Sequence, residues 1–328
     1  MESRSFSIKE RNTSLKINGK FLRFMVALSI TVGIFVFLLS TIDFSRVMAA
    51  LQEANISLII FVFFILIFGN SLLDICRWKV ILHYLHYPIS FKEALLIKVA
   101  ANLLITVLPF RSGELSRLVY LKRLKNIPYT KTTLSIAVEY SHKIFILLLY
   151  LCIGMGLYYF ENHKQNTGYD FNRFSLTLIP LCFIKLDTYR VIMAKWGEKY
   201  LSVFQLHFNE LKDLLKNKKI FFYNFLYTST DFINFYLLSK SLSMDIPVSA
   251  ILFFLPLILF ISCLPFTIAG LGSRELSILF FFQKYASSEV LLSLGILYSL
   301  VEFVLPFLVG VLVMAFFFRQ NFKLECWP

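Results

Sequence analysis

Long apolar runs, separated by short clusters of basic residues, limit what this chain can fold into. A run of about 20 apolar residues is long enough to cross a bilayer as a helix, and the first such run covers residues 21–40. Of the 328 residues, 58% are hydrophobic, which exceeds the roughly 45–50% of soluble domains. Because a backbone in lipid needs a helix or a closed barrel, the runs predict an all-α integral membrane protein, a polytopic helical bundle of about six to eight membrane segments.

Basic residues predict the sidedness of the chain and its division into parts. They are concentrated in the tail 1–20 and recur in the short tail 319–328, so both termini are predicted to be cytoplasmic. The region between these tails, 21–318, is predicted to be one transmembrane domain. Within it, the segment 190–219 carries apolar residues at spacings of three and four opposite lysines, which predicts an amphipathic cytoplasmic helix.

The net charge of +13 indicates which class of molecule the chain binds. Its basic residues lie between apolar runs, where anionic lipid headgroups are nearer than any nucleic acid. We therefore predict membrane lipids with anionic headgroups as partners, and no nucleic acid. At the end of the second run, Arg77-Trp78-Lys79 predicts a cationic and aromatic anchor at the inner interface, and Asp74 is predicted to form an ion pair with Arg77 there.

Two related motifs interrupt the apolar runs at 108–117 and 264–277. Each contains Leu-Pro-Phe, a break with glycine and then Glu-Leu-Ser, with an arginine between the proline and the glutamate. The strongly basic segment 111–131 follows the apolar run 91–108, so this run is predicted to return to the side of the membrane from which it entered. For the C-terminus to be cytoplasmic, the second motif must enter the membrane from the outer side and return to that side, opposite to the first motif. Two re-entrant broken helices of opposite direction are typical of an inverted repeat.

Charged residues at membrane depth are the candidate functional residues, because each costs about 2.5–3.5 kcal/mol to insert. An arginine fork matches the oxygens of a phosphate, and carboxylates orient the arginine or exchange protons. The candidates for binding a lipid headgroup are Arg111, Glu114 and Arg117 after the first break, Arg274 and Glu275 at the second, Glu139 in the third span and Glu302 in the last. Alternatively, the charged residues after the first break and Glu139 lie at the membrane interface without binding a lipid. For Arg274 and Glu275 the alternative is an ion pair with a structural role.

The sequence carries none of the common motifs of catalysis or of cofactor binding. It has no Gly-Lys-Ser/Thr phosphate loop, no Gly-x-Ser-x-Gly elbow, no His-Glu-x-x-His and no Cys-x-x-Cys pair. We therefore expect no catalytic residue, no cofactor and no metal, and we do not expect an enzyme. Two alternatives stay open: a membrane-embedded glycosyl- or acyl-transferase acting on a lipid carrier, and a non-catalytic partner in a lipid or cell-envelope pathway.

The order of several short motifs resembles one known family. These motifs are Arg77-Trp78, Asn102, Leu108-Pro109, Gly113-Glu114-x-x-Arg117, Val138-Glu139, Leu264-Pro265, Gly270-x-Gly272-x-Arg274-Glu275, and Pro306 with Gly310 in the last span. Across about residues 20–318 they resemble the lysylphosphatidylglycerol synthase transmembrane family, a flippase-like membrane domain. The chain is similar to a stand-alone member, without the aminoacyl-transferase domain that resistance proteins carry.

The resemblance implies a role in moving lipids. Members of this family are associated with the transfer of phospholipids, hopanoids or polyprenyl-linked sugars across membranes. For this chain the resemblance implies flipping of a phosphate-containing or polyprenyl-linked lipid between leaflets, and we expect a prokaryotic cytoplasmic membrane as its location. Two protein partners stay open: a second copy of the chain, and an enzyme of a lipid pathway.

Overall fold

The computed structural model describes residues 19–107, 113–164, 208–263, 267 and 270–321, and the regular elements in these ranges are helices. They are α1 (Gly19–Thr41), α2 (Phe44–Glu53), α3 (Ile56–Tyr84), α4 (Phe91–Val107), α5 (Leu115–Lys125), α6 (Tyr129–Lys164), α7 (Phe208–Lys216), α8 (Lys218–Ser241), α9 (Val248–Cys263), α10 (Ser273–Phe282) and α11 (288–321). A π-helical turn interrupts α3 at Ile65–Asn70 and α11 at Leu300–Val304.

Within the described ranges, three helices are long and apolar enough to cross a membrane. They are α3, α6 over Tyr129–Glu161 and α11 over Ser288–Ala315. Large apolar side chains lie on the outer surfaces of these helices, and Phe64 and Leu312 are 58% and 69% exposed. Such continuous exposed apolar surface is compatible with lipid rather than with water. The prediction of an all-α integral membrane protein is confirmed.

The two broken elements are helical hairpins. A Cβ atom at Gly113 would lie 2.1 Å from the backbone nitrogen of Ile105, so the chain after the first break folds directly onto α4. At the second break, a Cβ at Gly270 would lie 2.8 Å from the carbonyl oxygen of Ser262 in α9. Gly270 also has a φ of 79°, which favours glycine. The Leu-Pro-Phe residues themselves lie outside the described ranges.

The chain contains an internal repeat, because α3 to α6 and α8 to α11 follow the same order. Each half has a long helix, a hairpin of two shorter helices and a second long helix. The turns after α3 and α8 match in detail: Tyr87 N–H donates to Leu82 O at 2.9 Å, and Met244 N–H donates to Ser239 O at 3.0 Å. Gly270, Asp231 and Arg274 each follow an identical residue, Gly113, Asp74 and Arg117, by 157 positions.

The two halves run in opposite directions between two apolar cores. Core 1 contains Val62 of α3 and Phe235 of α8, and core 2 contains Ile81 of α3 and Ile220 of α8. Helix α3 therefore passes from core 1 to core 2, whereas its counterpart α8 passes from core 2 to core 1. The hairpin helix α4 begins in core 2 and its counterpart α9 begins in core 1. This geometry is the inverted repeat that the two motifs predict.

Helix α7 is the described part of the predicted amphipathic helix at 190–219. Helix α7 ends at Lys216, because the side chain of Asn217 accepts hydrogen bonds from the backbone N–H groups of Lys219 and Ile220 and caps α8. Leu211 of α7 is 9% exposed and packs in core 2, so the helix lies with its apolar face on the bundle. Residues 190–207 lie outside the described ranges.

Replacing Gly154 with alanine should lower the free energy of unfolding by about 1–3 kcal/mol. A Cβ there would lie 2.3 Å from the backbone nitrogen of Phe253, and the backbone of α9 cannot move aside as a side chain can. Thermal unfolding in detergent measures the effect. Gly156→Ala is the matched control, because its Cβ would meet no atom within 4 Å. Equal unfolding temperatures for the two variants would contradict the close packing of α6 on α9.

Candidate functional site

A cavity of about 210 Å³ lies between the two cores, in the middle of the bundle. Helices from both halves line the cavity. Its position between the cores follows from α3, in which the wall residue Asp74 lies between Val62 of core 1 and Ile81 of core 2. The charged residues of its described wall are Asp74, Arg77, Lys98, Glu114, Arg117, Glu139, Lys143, Asp231, Arg274 and Glu302. The repeat therefore brings together charges that are far apart in sequence.

Glu139 of α6 is the centre of an ion network in the first half. Lys98 Nζ donates to its Oε1 at 3.0 Å, and Arg117 Nη1 donates to its Oε2 at 2.8 Å. Arg77 Nη2 lies 3.8 Å from the same Oε2. Glu139 is only 2% exposed, so these three cations compensate a carboxylate that is shielded from water.

Two further carboxylates complete this network. Asp74 Oδ1 lies 2.6 Å from Arg77 Nη2 and 3.0 Å from Lys98 Nζ. Glu114 Oε2 lies 2.7 Å from Arg117 Nη2. We call Asp74, Arg77, Lys98, Glu114, Arg117 and Glu139 the six-residue network; its three acids and three bases balance in charge.

The prediction that Arg77-Trp78-Lys79 anchors α3 at the membrane interface is wrong for its first two residues. Arg77 is 6% exposed within the network, and Trp78 is fully buried and donates its indole N–H to Ser135 Oγ at 3.2 Å. Helix α3 continues to Tyr84 and into core 2, so these residues lie well inside the helix. A hydropathy pattern cannot separate a buried ion pair from an interfacial one, because both interrupt an apolar run.

The second half contributes charges that are less completely paired. Lys143 Nζ donates to Asp231 Oδ2 at 3.0 Å. Arg274 is 3% exposed, and its Nε and Nη1 have no hydrogen-bond acceptor among the described residues. Its guanidinium carbon lies 4.5 Å from the ring centroid of Phe303 and 5.3 Å from that of Tyr298. Arg274 is thus held by aromatic rings, with donors left for another partner.

Glu302 lies in the π-helical turn of α11, on the cavity wall. Its Oε1 is buried and has no hydrogen-bond donor among the described residues. Asp231, Arg274 and Lys143 are the charged groups that act on it electrostatically. Single π-helical turns often occur at functional sites, so the position of Glu302 marks it as a candidate for contact with a ligand.

Glu275 is the predicted site residue that the structure places away from the cavity wall. Its Oε2 accepts a hydrogen bond from Gly272 N at 2.6 Å, and its Oε1 accepts one from Ser299 Oγ at 2.5 Å. The side chain therefore caps the start of α10 and ties it to α11. Arg111 lies outside the described residues.

The sequence interpretation omitted several residues of this site. Asp74 and Arg77 were interpreted as an ion pair at the interface, and Lys98 was not singled out, although all three lie on the cavity wall with Lys143 and Asp231. The available signal was a charge inside an apolar run, since Lys98 has apolar neighbours on both sides. Within the described residues, no group of three or more His, Cys, Asp or Glu side chains could hold a metal ion.

The cavity residues fall within the part of the chain that matches a known family. A sequence model described as lysylphosphatidylglycerol synthase TM region matches residues 24–310. This range contains both hairpins and each described charged residue of the cavity. No match is found among curated proteins.

Proposed function

Since the chain belongs to the lysylphosphatidylglycerol synthase transmembrane family, we propose that it translocates a phosphate-containing or polyprenyl-linked lipid between the two leaflets. The headgroup passes through the charged cavity, and the acyl or isoprenoid tails stay in the surrounding lipid. The chain is not an enzyme in this proposal. Its N- and C-termini are cytoplasmic, and its location is a prokaryotic cytoplasmic membrane.

The observation that carries this proposal is the environment of Arg274. A buried guanidinium with unpaired N–H groups is costly, because each buried donor without a partner loses about 1–3 kcal/mol. Arg274 lines the cavity with two such nitrogens and no ion pair within the described residues. A phosphate that enters the cavity supplies the missing acceptors through charge-assisted hydrogen bonds.

The inverted repeat supports movement of the headgroup between two states. Arg117 and Arg274 occupy equivalent positions, but Arg117 is held by Glu114 and Glu139, whereas Arg274 has no carboxylate partner among the residues that the structure describes. Inverted halves of transporters exchange conformations around a central site.

The test uses purified protein in vesicles that contain a lipid with a fluorescent tail. Wild-type protein should move this lipid between leaflets faster than protein-free vesicles, as a membrane-impermeant quencher reports. Arg274→Ala should slow the movement by about tenfold to a hundredfold, since it removes charge-assisted hydrogen bonds to the phosphate.

Arg46→Ala is the matched control for this test. Arg46 pairs with a nearby acid, Asp43 at 3.6 Å, and its side chain is 74% exposed on α2, so its removal should leave the rate unchanged. Both variants should elute as folded protein in detergent. An Arg274→Ala variant that is folded and as fast as Arg46→Ala would refute the role of Arg274, and an inactive wild type would refute translocation.

A further inference from the structure

The described wall of the cavity is balanced in formal charge. Its five acids are Asp74, Glu114, Glu139, Asp231 and Glu302, and its five bases are Arg77, Lys98, Arg117, Lys143 and Arg274. Eight of these ten form ion pairs with one another. The two that remain, Arg274 and Glu302, have opposite charge.

Arg274 and Glu302 face the same space without pairing with each other. Both line the cavity and act on each other electrostatically. Each nevertheless keeps buried polar atoms without a hydrogen-bond partner among the described residues: Nε and Nη1 of Arg274, and Oε1 of Glu302. The two neighbouring charges, Lys143 and Asp231, are satisfied by their own ion pair at 3.0 Å. The described cavity wall therefore offers two unpaired nitrogens of Arg274 and one unpaired oxygen of Glu302 to a ligand.

We propose that the headgroup bound here is a zwitterion with one phosphate and one primary ammonium, of the phosphoethanolamine type. This proposal rests on the proposed function and names the class of lipid. The phosphate accepts hydrogen bonds from Arg274. The ammonium, which has three donors and no acceptor, donates to Glu302.

Charge balance is the physical reason for this choice. A buried charge is tolerated where an opposite charge compensates it, and an uncompensated one is strongly unfavourable. An anionic headgroup would pair with Arg274 but would leave the carboxylate of Glu302 facing it, unpaired. A zwitterion gives each of the two residues its partner and leaves the net charge of the cavity at zero.

The alternative occupant is an anionic phosphate headgroup bound while Glu302 carries a proton. A protonated Glu302 would give the described wall an excess of one positive charge, supplied by Arg274. The two possibilities predict opposite preferences between a zwitterionic and an anionic lipid. They also predict different effects of removing the charge of Glu302.

The experiment compares two lipids with the same fluorescent tail, phosphatidylethanolamine and phosphatidylglycerol, in vesicles at neutral pH. Wild-type protein should move phosphatidylethanolamine about tenfold faster, the ratio that corresponds to one additional charge-assisted contact. Glu302→Gln keeps the size of the side chain and removes its charge. In this variant the rate for phosphatidylethanolamine should fall about tenfold relative to the rate for phosphatidylglycerol.

The control variant is Glu53→Gln, which removes a carboxylate from the exposed face of α2 and should leave both rates unchanged. Wild-type protein that moves phosphatidylglycerol at least as fast as phosphatidylethanolamine would overturn the zwitterion proposal while leaving translocation intact. The same conclusion would follow if Glu302→Gln left the ratio of the two rates unchanged. Absence of movement of either lipid by the wild type would instead refute the proposed function.

Discussion

Glu139→Ala should lower the free energy of unfolding by about 3–5 kcal/mol, the usual cost of removing one partner from a buried ion pair. Glu139 compensates Lys98 and Arg117 directly, at 3.0 and 2.8 Å, and Arg77 at 3.8 Å. Without it, three cations face only Asp74 and Glu114 inside the bundle. Thermal unfolding in detergent, followed by tryptophan fluorescence, and the yield of monodisperse protein measure the loss.

Two comparisons separate this effect from a general sensitivity to mutation. Asp245→Ala removes an acid from an ion pair with Lys240 at 2.7 Å, but Asp245 is 99% exposed, so the change should leave the unfolding temperature nearly unchanged. Adding Lys98→Met to Glu139→Ala restores equal numbers of acids and bases in the network and should recover part of the stability. A loss as small for Glu139→Ala as for Asp245→Ala would show that the network does not stabilise the fold.

Gly113→Ala should both destabilise the protein and abolish most of its lipid movement. A Cβ there would lie 2.1 Å from Ile105 N and 2.4 Å from the carbonyl carbon of Leu104, so the hairpin of α4 and α5 must open. Overpacking of this kind costs about 1–3 kcal/mol or more. Because α5 begins two residues later at Leu115, opening also moves Arg117 away from Glu139. Transport of the fluorescent lipid should fall at least about tenfold, since even small misplacements of a site are costly.

Gly33→Ala serves as the control for the hairpin prediction. Gly33 lies in α1, where a Cβ would meet no atom within 4 Å, so stability and transport should be preserved. In Gly154→Ala, by contrast, the clash lies between α6 and α9, at residues that do not line the cavity, and stability should fall more than transport by the folded protein. If Gly113→Ala behaved like Gly33→Ala in both measurements, the close contact between the two arms of the hairpin would be wrong.

Much of the fold follows from the amino-acid order, for reasons of local physics. The long apolar runs fix α1, α3, α6, α8 and α11 as helices, because a lipid environment leaves their backbone groups no other partner. Proline and glycine place the two breaks. Basic clusters predicted that the first hairpin returns to its own side, and the opposed passage of α3 and α8 between the two cores agrees with the inverted arrangement.

The candidate site was predictable only in part. Glu114, Arg117, Glu139, Arg274 and Glu302 could be selected because charges in apolar surroundings are costly, and all five line the cavity. Other acids at similar depth satisfy the same sequence rule without lining it. Glu275 is one example, because a short-range hydrogen bond to Gly272 N makes it a helix cap, and sequence spacing does not distinguish a capping carboxylate from one that binds a ligand.

The order of residues along the chain thus determined that the protein forms helices in a membrane and carries charged residues within them. Both the hydrogen bonding of a helix backbone in lipid and the cost of inserting a charged side chain depend on neighbours in sequence. Which charges are neutralised depends instead on packing between distant helices. Lys98 binds Glu139, which is 41 positions away in sequence, and Lys143 binds Asp231, which is 88 positions away. The energy of an ion pair depends on the distance between its charges, which the packing of the helices determines. Among the described charges of the cavity wall, the assembled bundle therefore left Arg274 and Glu302 without an ion pair, a distinction that no feature of their sequence neighbours carries.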